Sequence, residues 1–501
     1  MKSYAAEHQL IAQSDAPALS RPLTESDPAN DPVNEPLALP GARYLYQYAS
    51  VRGPNSRTLM LTADYLTGLL TNMPQLPCDL PDDPAELEAW FTAAAAQTHS
   101  RYADYLQARK SGAPRHYFSN RAHALYFLRA VAPTKLVDGA WLYGVAAQWK
   151  NPAYQGLLRT YLEELGEGDE SKNHVLLYRK LLAAHGAEQW QDLPEAFYMQ
   201  GAIQLSLGFQ GEKFLPEVVG FNLGYEQLPL HLLITAYELN ELGIDPYYFT
   251  LHVTVDNSDS GHARRAVNAV QEMLPQLGDR NAYWQRVRNG YMLNDLGMGT
   301  VATIRSFDIE REVHEIFTRK SIGGHGAHSD YCKVAGRTVN DWLSAPEQIP
   351  YFLDALKRAG WIVPGPDVRQ SRFWGLLQGD KAQMFGVFNA YELQMIHDWI
   401  RGPASADAMP YTHWQDQPAQ GADAVPYRQP SFRALQRQQP AVVGKPGDVV
   451  DADTEALHDH LATLPGKQAM TQYLAGVISP LHHWKPAGLA ATRLFSQYAF
   501  S

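Results

Sequence analysis

Two histidines and two aspartates fall within one short span of FTLHVTVDNSDSGHARRAV, residues 249–267: His252, Asp256, Asp259 and His262. On an α-helix, with His252 at zero, Asp256 lies near about 40°, Asp259 near about −20° and His262 near about −80°, so all four share roughly one third of the circumference. Their neighbours Leu251 and Val253 are apolar. A helix that carries His and Asp where other helices carry Leu loses on the order of several kcal/mol unless those groups are paired or bound to a metal. Neutral imidazoles and carboxylates at helical spacing suit iron, manganese or zinc. Two other readings of these residues stand beside that one: a hydrogen-bonded or solvated polar face, and a strand, because HVTVD alternates.

The surrounding segments supply further ligand types. In YLEELGEGDESKNHVLL, Glu164 is followed ten residues later by His174, at the boundary of two helical segments joined by GEGD. FNLGYEQLPLH offers Glu226 at the expected start of a third apolar helix, with Glu238 further on. A carboxylate–His pair, a carboxylate and a His/Asp/His set on successive helices form the mixed inventory of a dinuclear site in a helical bundle. Glu164, His174, Glu226, His252, Asp256 and His262 are the six candidate ligands, and the catalytic residues with them.

The elements that must position them read as helices. NPAYQGLLRTYLEEL, ESKNHVLLYRKLLAAHG, YEQLPLHLLITAYELNELG and YYFTLHVTVDNSDSGHARRAVNAVQEML each interrupt an apolar face with polar residues, and GEGD and Asp245-Pro246 supply breaks. An antiparallel all-α bundle is the economical architecture. Residues 1–41, rich in Pro, Ser, Asp and Asn, are expected to form a mobile arm, residues 42–280 the bundle with the site, and residues 281–501 a mostly helical C-terminal part without assignable chemistry. No repeat, P-loop, GxSxG or credible GxGxxG is present.

Composition narrows the function. The chain has 501 residues, 45% hydrophobic, with 11 Trp, 27 Tyr and 17 Phe, enough for a large core and for small-molecule pockets. A net charge of −11 without a basic block argues against nucleic acid as a partner. Cys78 and Cys332, the only cysteines, form no CxxC pair, and the first residues lack the apolar run of a secretory signal. The expectation is a cytoplasmic protein that neither spans nor binds a membrane.

The segments EELGEGDESKNHVLLYRKLL, LGYEQLPLHLLITAYELNELGIDPYYFTLHVTVDN and SGHARRA resemble the heme-oxygenase-like diiron oxidases, a group of iron-containing redox enzymes, and VRNGYMLNDLG, LKRAGWI and MFGVFNAYELQMIHDWI are similar to stretches of its long members. The resemblance spans roughly residues 120–400. It implies a heme-oxygenase-like antiparallel helical bundle that holds two irons per chain and uses O2. Its implied substrates are small amino-acid- or fatty-acid-derived molecules in specialised metabolism, through N-oxygenation, oxidative decarboxylation, desaturation or C–C or C–N cleavage. Manganese or a mixed Mn/Fe pair shares the same ligand types.

Carried over residue by residue, the resemblance puts the carboxylate-plus-His pair on Glu164 and His174, the central carboxylate on Glu226, and the last ligand helix on His252 and Asp256. The compact family form HxxxDxxH would end on Asp259, whereas His262 stands three residues later. Either Asp259 ligates, or unwinding at Ser260-Gly261 turns His262 inward, which is the favoured alternative. Asp138 in KLVDGAWLYG is a further candidate, although a surface aspartate is its plainer reading.

Of the aromatics near the site, Trp141, Tyr143, Tyr225, Tyr237, Tyr247 and Tyr248, core packing is the first expectation and pocket lining the second. Arg264 and Arg265 are expected on a solvated face, with a substrate carboxylate as the alternative. His325, His328, Asp330 and Cys332 in GGHGAHSDYC read as a polar loop or a second site, Glu455 and His458 as a surface helix, and His482 and His483 as candidates for a C-terminal lid. Two competing functions remain open: a non-catalytic heme- or iron-binding or partner-docking protein, and a thiaminase-like C–N hydrolase built on a cysteine nucleophile. The diiron reading implies a small-molecule substrate, O2, an external electron donor and a homodimer as partners.

Overall fold

The computed structural model describes residues 41–73, 76–255, 261–378, 382–402 and 451–500. Residues 1–40 of the expected arm and the Pro/Gln-rich stretch 414–440 therefore lie outside the described residues. Most described residues are helical, and the one β-pairing among them is a two-residue antiparallel ladder, β1 Lys333–Val334 with β2 Arg337–Thr338. Among the described residues, the α-helices of nine residues or more are α1 Ala42–Arg52, α2 Ser56–Thr71, α3 Leu87–Lys110, α4 Arg121–Ala130, α5 Gln155–Glu164 and α6 His174–Ala184. They continue as α7 Met199–Phe209, α8 Leu215–Tyr225, α9 Leu230–Glu241, α10 Tyr247–Val255, α11 His262–Met273 and α12 Arg280–Met292. The last are α13 Ile309–Gly324, α14 Ile349–Arg358, α15 Ala390–Arg401, α16 Ala452–Thr463, α17 Lys467–Val477 and α18 Pro486–Ala499.

Local sequence sets many helix starts. Asn55, Asn120, Asn173 and Asp279 each turn a side-chain oxygen onto a first-turn amide of α2, α4, α6 and α12, which satisfies donors the helix cannot bond internally. Asn389 and Glu392 form a reciprocal capping box at α15. One continuous apolar core then joins the whole set, from Leu45 in α1 to Phe495 in α18.

Three sequence readings change here. The segment 247–274 is not one helix. It divides into α10 and α11, because Gly261 is extended (φ −79°, ψ −167°) and acts as the cap in front of His262. The strand reading of HVTVD falls for His252–Val255, which lie in α10. Glu226 does not open a helix either: it caps the C-terminal end of α8, and Pro229 starts α9 after a short break. Proline disfavours helical geometry in the residue before it, which accounts for the break in EQLP.

The tightest packing lies between α8 and α12. A Cβ placed on Gly220 would meet the Val287 carbonyl oxygen at 1.8 Å, and one on Gly290 would meet the Glu217 carbonyl at 2.1 Å. Glycine at both positions lets the two backbones touch. Arg286 locks the crossing with two hydrogen bonds of 2.7 Å to Glu217. Helix α12 starts at Arg280, so the expected division near residue 280 coincides with the start of a helix that packs against the bundle.

Gly220→Ala is expected to force these helices apart and destabilise the protein by about 1–3 kcal/mol, the usual range for overpacking. Thermal unfolding followed by circular dichroism should give a lower Tm, and an unchanged Tm would show that the α8–α12 contact yields without cost.

Candidate metal centre

Six buried side chains converge inside the bundle in two overlapping groups. Asp138, Glu164, His174 and His252 form the first, and Glu164, Glu226 and His262 the second; within each group the candidate ligand atoms lie within 4.8 Å of one another. Glu164 belongs to both. Its Oε2 is 2.6 Å from His174 Nδ1, and its Oε1 is 3.2 Å from His262 Nδ1.

Each residue reaches the centre from the end of an element. Glu164 is the last residue of α5 and His174 the first of α6, and the intervening loop turns sharply through positive φ at Gly166, Glu167 and Gly168. Asn173 closes that loop: its Oδ1 caps α6 and its Nδ2 donates to the Leu165 carbonyl at 3.0 Å. Glu226 comes from the end of α8, His252 from α10 and His262 from the first position of α11. Asp138 precedes Gly139, whose φ of 80° and approach to Glu164, 2.8 Å from a built Cβ to the Glu164 Cβ, exclude a side chain there.

Hydrogen bonds fix the ring orientations. His252 Nδ1 donates to the Tyr248 carbonyl at 2.8 Å, which leaves Nε2 facing Asp138 Oδ2 at 3.3 Å. His262 Nε2 donates to Glu163 Oε2 at 2.9 Å, and its Nδ1 faces Glu226 Oε2 at 3.1 Å. Such outer partners set the tautomer and the basicity of a metal-binding imidazole. The Asp138 carboxylate accepts from Tyr225 Oη at 2.7 Å and from Tyr248 Oη, and lies 3.9 Å from Lys135 Nζ.

The electrostatics are those of ionised groups held dry. Burial pushes Asp138 upward, but Lys135 and His252 outweigh it and hold the carboxyl at about 2. Burial likewise opposes ionisation of Glu164, and His174 and His262 hold it well below the usual carboxylate range. Burial, followed by the negative charge of Asp138, raises Tyr225 and Tyr248 well above the ordinary phenol value, so both remain donors.

These residues fit a metal. Glu164 Oε2 and His174 Nδ1 are both buried and 2.6 Å apart, yet neither makes a hydrogen bond of acceptable geometry. The two form a close ion pair without hydrogen-bond geometry, and a cation coordinated by both would satisfy the lone pairs this contact leaves unbonded. The donor set, imidazole nitrogen with carboxylate oxygen, suits iron, manganese or zinc.

Residues 125–295 match the family model described as iron-containing redox enzyme. The resemblance seen in the sequence holds over that segment, and the helical architecture agrees with the expected all-α, heme-oxygenase-like class. The matched segment contains all six converging residues. No curated protein and no solved structure matches the chain.

The structure brings together five of the six candidates named from the sequence, Glu164, His174, Glu226, His252 and His262. Asp256 and Asp259 lie outside the described residues. Asp138 is not a surface aspartate: it is 1% exposed, because the turn at Gly139 presses its segment against Glu164. Tyr225 and Tyr248 do more than fill the core, since both hydroxyls bind that carboxylate.

Glu163, which stands beside His262, is a residue the sequence reading did not name; adjacent helical residues point about 100° apart, and only the fold brings His262 within reach of it. Arg264 and Arg265 are paired with Glu88 and Glu163 rather than simply solvated. His483 is no lid: it is buried behind the loop, 3.1 Å from Asn173 Nδ2. His325, Asp330 and Cys332 are exposed and His328 half-buried in a polar loop, and Glu455 and His458 are exposed on α16.

A carboxyl held down in the folded state stabilises that state above its unfolded pKa, and the benefit disappears as pH falls through the folded value. The contribution of Asp138 in metal-free protein is thus present above about pH 4 and lost toward about pH 2. Urea unfolding of metal-free wild type and Asp138→Asn across this window should show a flatter pH dependence in the variant, and parallel curves would disprove the assignment.

Proposed function

We propose that the protein is an O2-dependent, non-heme diiron oxidase or oxygenase acting on a small organic molecule. The observation that carries this reading is the shared carboxylate: Glu164 offers one oxygen to the Asp138, His174, His252 group and the other to the Glu226, His262 group. One carboxylate between two ligand groups is the arrangement that holds a pair of ions rather than one. Two ferrous ions, when bound, supply the electrons for reduction of O2, chemistry that no organic side chain provides. The match of residues 125–295 to an iron-containing redox family supports iron over the other metals this donor set accepts.

The chain's own residues have distinct tasks. The Tyr248 carbonyl keeps the proton of His252 on Nδ1, so that Nε2 is presented to the centre. Glu163 does the same for His262 from the opposite ring nitrogen, and Arg265 holds Glu163 in place. Tyr225 and Tyr248 orient Asp138 by donating to its two oxygens. A cavity of about 430 Å³ touches His252 and gives a small substrate access to the edge of the centre.

The competing readings lack such support. A cysteine hydrolase needs a thiol in the pocket, whereas Cys332 is exposed, Cys78 interacts with Arg288, and neither is among the described walls of the cavity. A heme site would need one axial histidine in an apolar slot and leaves three buried carboxylates without a task.

Anaerobic titration of metal-free protein with ferrous iron, followed by a pulse of O2, tests the assignment. Wild type should bind about two irons per chain and consume O2 rapidly. Glu164→Ala, which removes a ligand from both groups, should bind less than about one, and His252→Ala should lose about one of the two. Iron that fails to bind, or binds equally well to both variants, would refute the reading.

A further inference from the structure

The loop between Glu164 and His174 carries a candidate ligand at each end, and it is held by a part of the chain more than 300 residues further on. On α5, Tyr161 Oη donates to the carbonyl of Ile478, which follows α17. On the loop, the Gly168 carbonyl accepts from Arg493 of α18, and a Cβ built on Gly168 would stand 2.4 Å from the Leu489 carbonyl oxygen. Loop and helix backbones therefore touch. On α6, the Arg179 guanidinium lies 3.8 Å from the centroid of the Trp484 ring, a cation–π contact.

A fourth contact reaches the ligands most directly. Asn173, fully buried, immediately precedes His174. Its Oδ1 accepts from the Leu176 amide, and its Nδ2 donates to the carbonyl of Leu165, the residue after Glu164, at 3.0 Å. Those two bonds establish which end of the amide is the donor. The second Nδ2 hydrogen points to His483, whose Nδ1 accepts at 3.1 Å, with the His483 carbonyl further away at 3.4 Å. Asn173 is thus joined covalently to one candidate ligand, by a hydrogen bond to the neighbour of the other, and by a further hydrogen bond to the C-terminal segment. Its orientation sets the spacing of the pair, and His483, itself buried, sets its orientation.

We propose that the C-terminal segment is part of the framework of the metal centre: His483, acting through Asn173, is a positioning residue for Glu164 and His174, and metal loading and docking of residues 478–493 stabilise each other. The coupling must run in both directions, because two events that share one loop conformation are thermodynamically linked. The inference rests on the metal reading of Glu164 and His174. It adds a segment that lies outside the matched residues 125–295 and contributes no ligand to the two groups.

Anaerobic titration of the full chain with cobalt(II), whose visible absorption follows its coordination geometry, tests the assignment. His483→Leu removes the ring acceptor, and His483→Asn restores an acceptor close to the Nδ1 position. Wild type should bind about two ions per chain. His483→Leu should bind cobalt at least about tenfold more weakly and show a shifted band at saturation, and His483→Asn should recover most of both. A role in stability alone would lower Tm and leave the band of the bound ion in place.

Unchanged affinity and band in His483→Leu, or equal losses in both variants, overturn the positioning role while the metal reading stands. Wild type that binds no cobalt sinks the metal reading and the positioning role with it. Hydrogen exchange on wild type needs no variant: saturating cobalt should slow residues 478–493 at least about threefold more than α14, which packs against α13. Equal slowing of the two regions, or none in residues 478–493, overturns the coupling.

Discussion

The structure depends on keeping three carboxyl groups, Asp138, Glu164 and Glu226, in the interior of a helical core. Burial of such charges is opposed by desolvation, and it becomes tolerable only when cations or hydrogen-bond donors stand on every side. Three imidazoles, two phenols and one ammonium provide that surround here, and they come from five stretches of chain, with Tyr248 and His252 on the same helix. The cost of burying the charges makes the surround obligatory. The match of residues 125–295 to an iron-containing redox family is compatible with a metal ion at the same cluster, where a divalent ion would compensate the buried carboxylates.

The second consequence concerns rigidity. Glu164 and His174 stand at the two ends of one tight loop, so their separation is fixed by that loop's conformation. The last described helices hold it from outside: Arg493 of α18 donates to the Gly168 carbonyl, and His483 is hydrogen-bonded to Asn173. Burial, then Arg179 and His174, push His483 down to about 3, so its ring is neutral and Nδ1 can accept from the Asn173 amide. A segment that lies outside the family match thereby supports the loop on which the shared carboxylate sits. Metal sites require this kind of support, because small displacements of a ligand weaken coordination and change the redox properties of the ions.

Helical periodicity, the break at GEGD and the mixture of His, Asp and Glu on successive apolar segments were legible in the sequence, because they are local properties of spacing and chemistry. They led to Glu164, His174, Glu226, His252 and His262, which the fold does gather. Glu163 was not legible, and Asp138 was legible only as a further candidate whose plainer reading was a surface aspartate. A lone aspartate in KLVDGAW has the same local signature exposed or buried, and only the positive φ of Gly139 and the approach of Glu164 take it inside. The same limit applies to His483, whose neighbour Asn173 is 310 residues away in the chain.

The sequence by itself determined the ligand chemistry and the helical class, since residue types and a 3.6-residue period do not depend on what the helices later meet. Tertiary structure decided which candidate ligands stand together, which of two adjacent glutamates supports a histidine and which is shared by the two groups, and which cation faces the cavity. Those are questions of relative position between distant segments. They are settled by burial and charge compensation across the core, where the cost of a misplaced ion is highest.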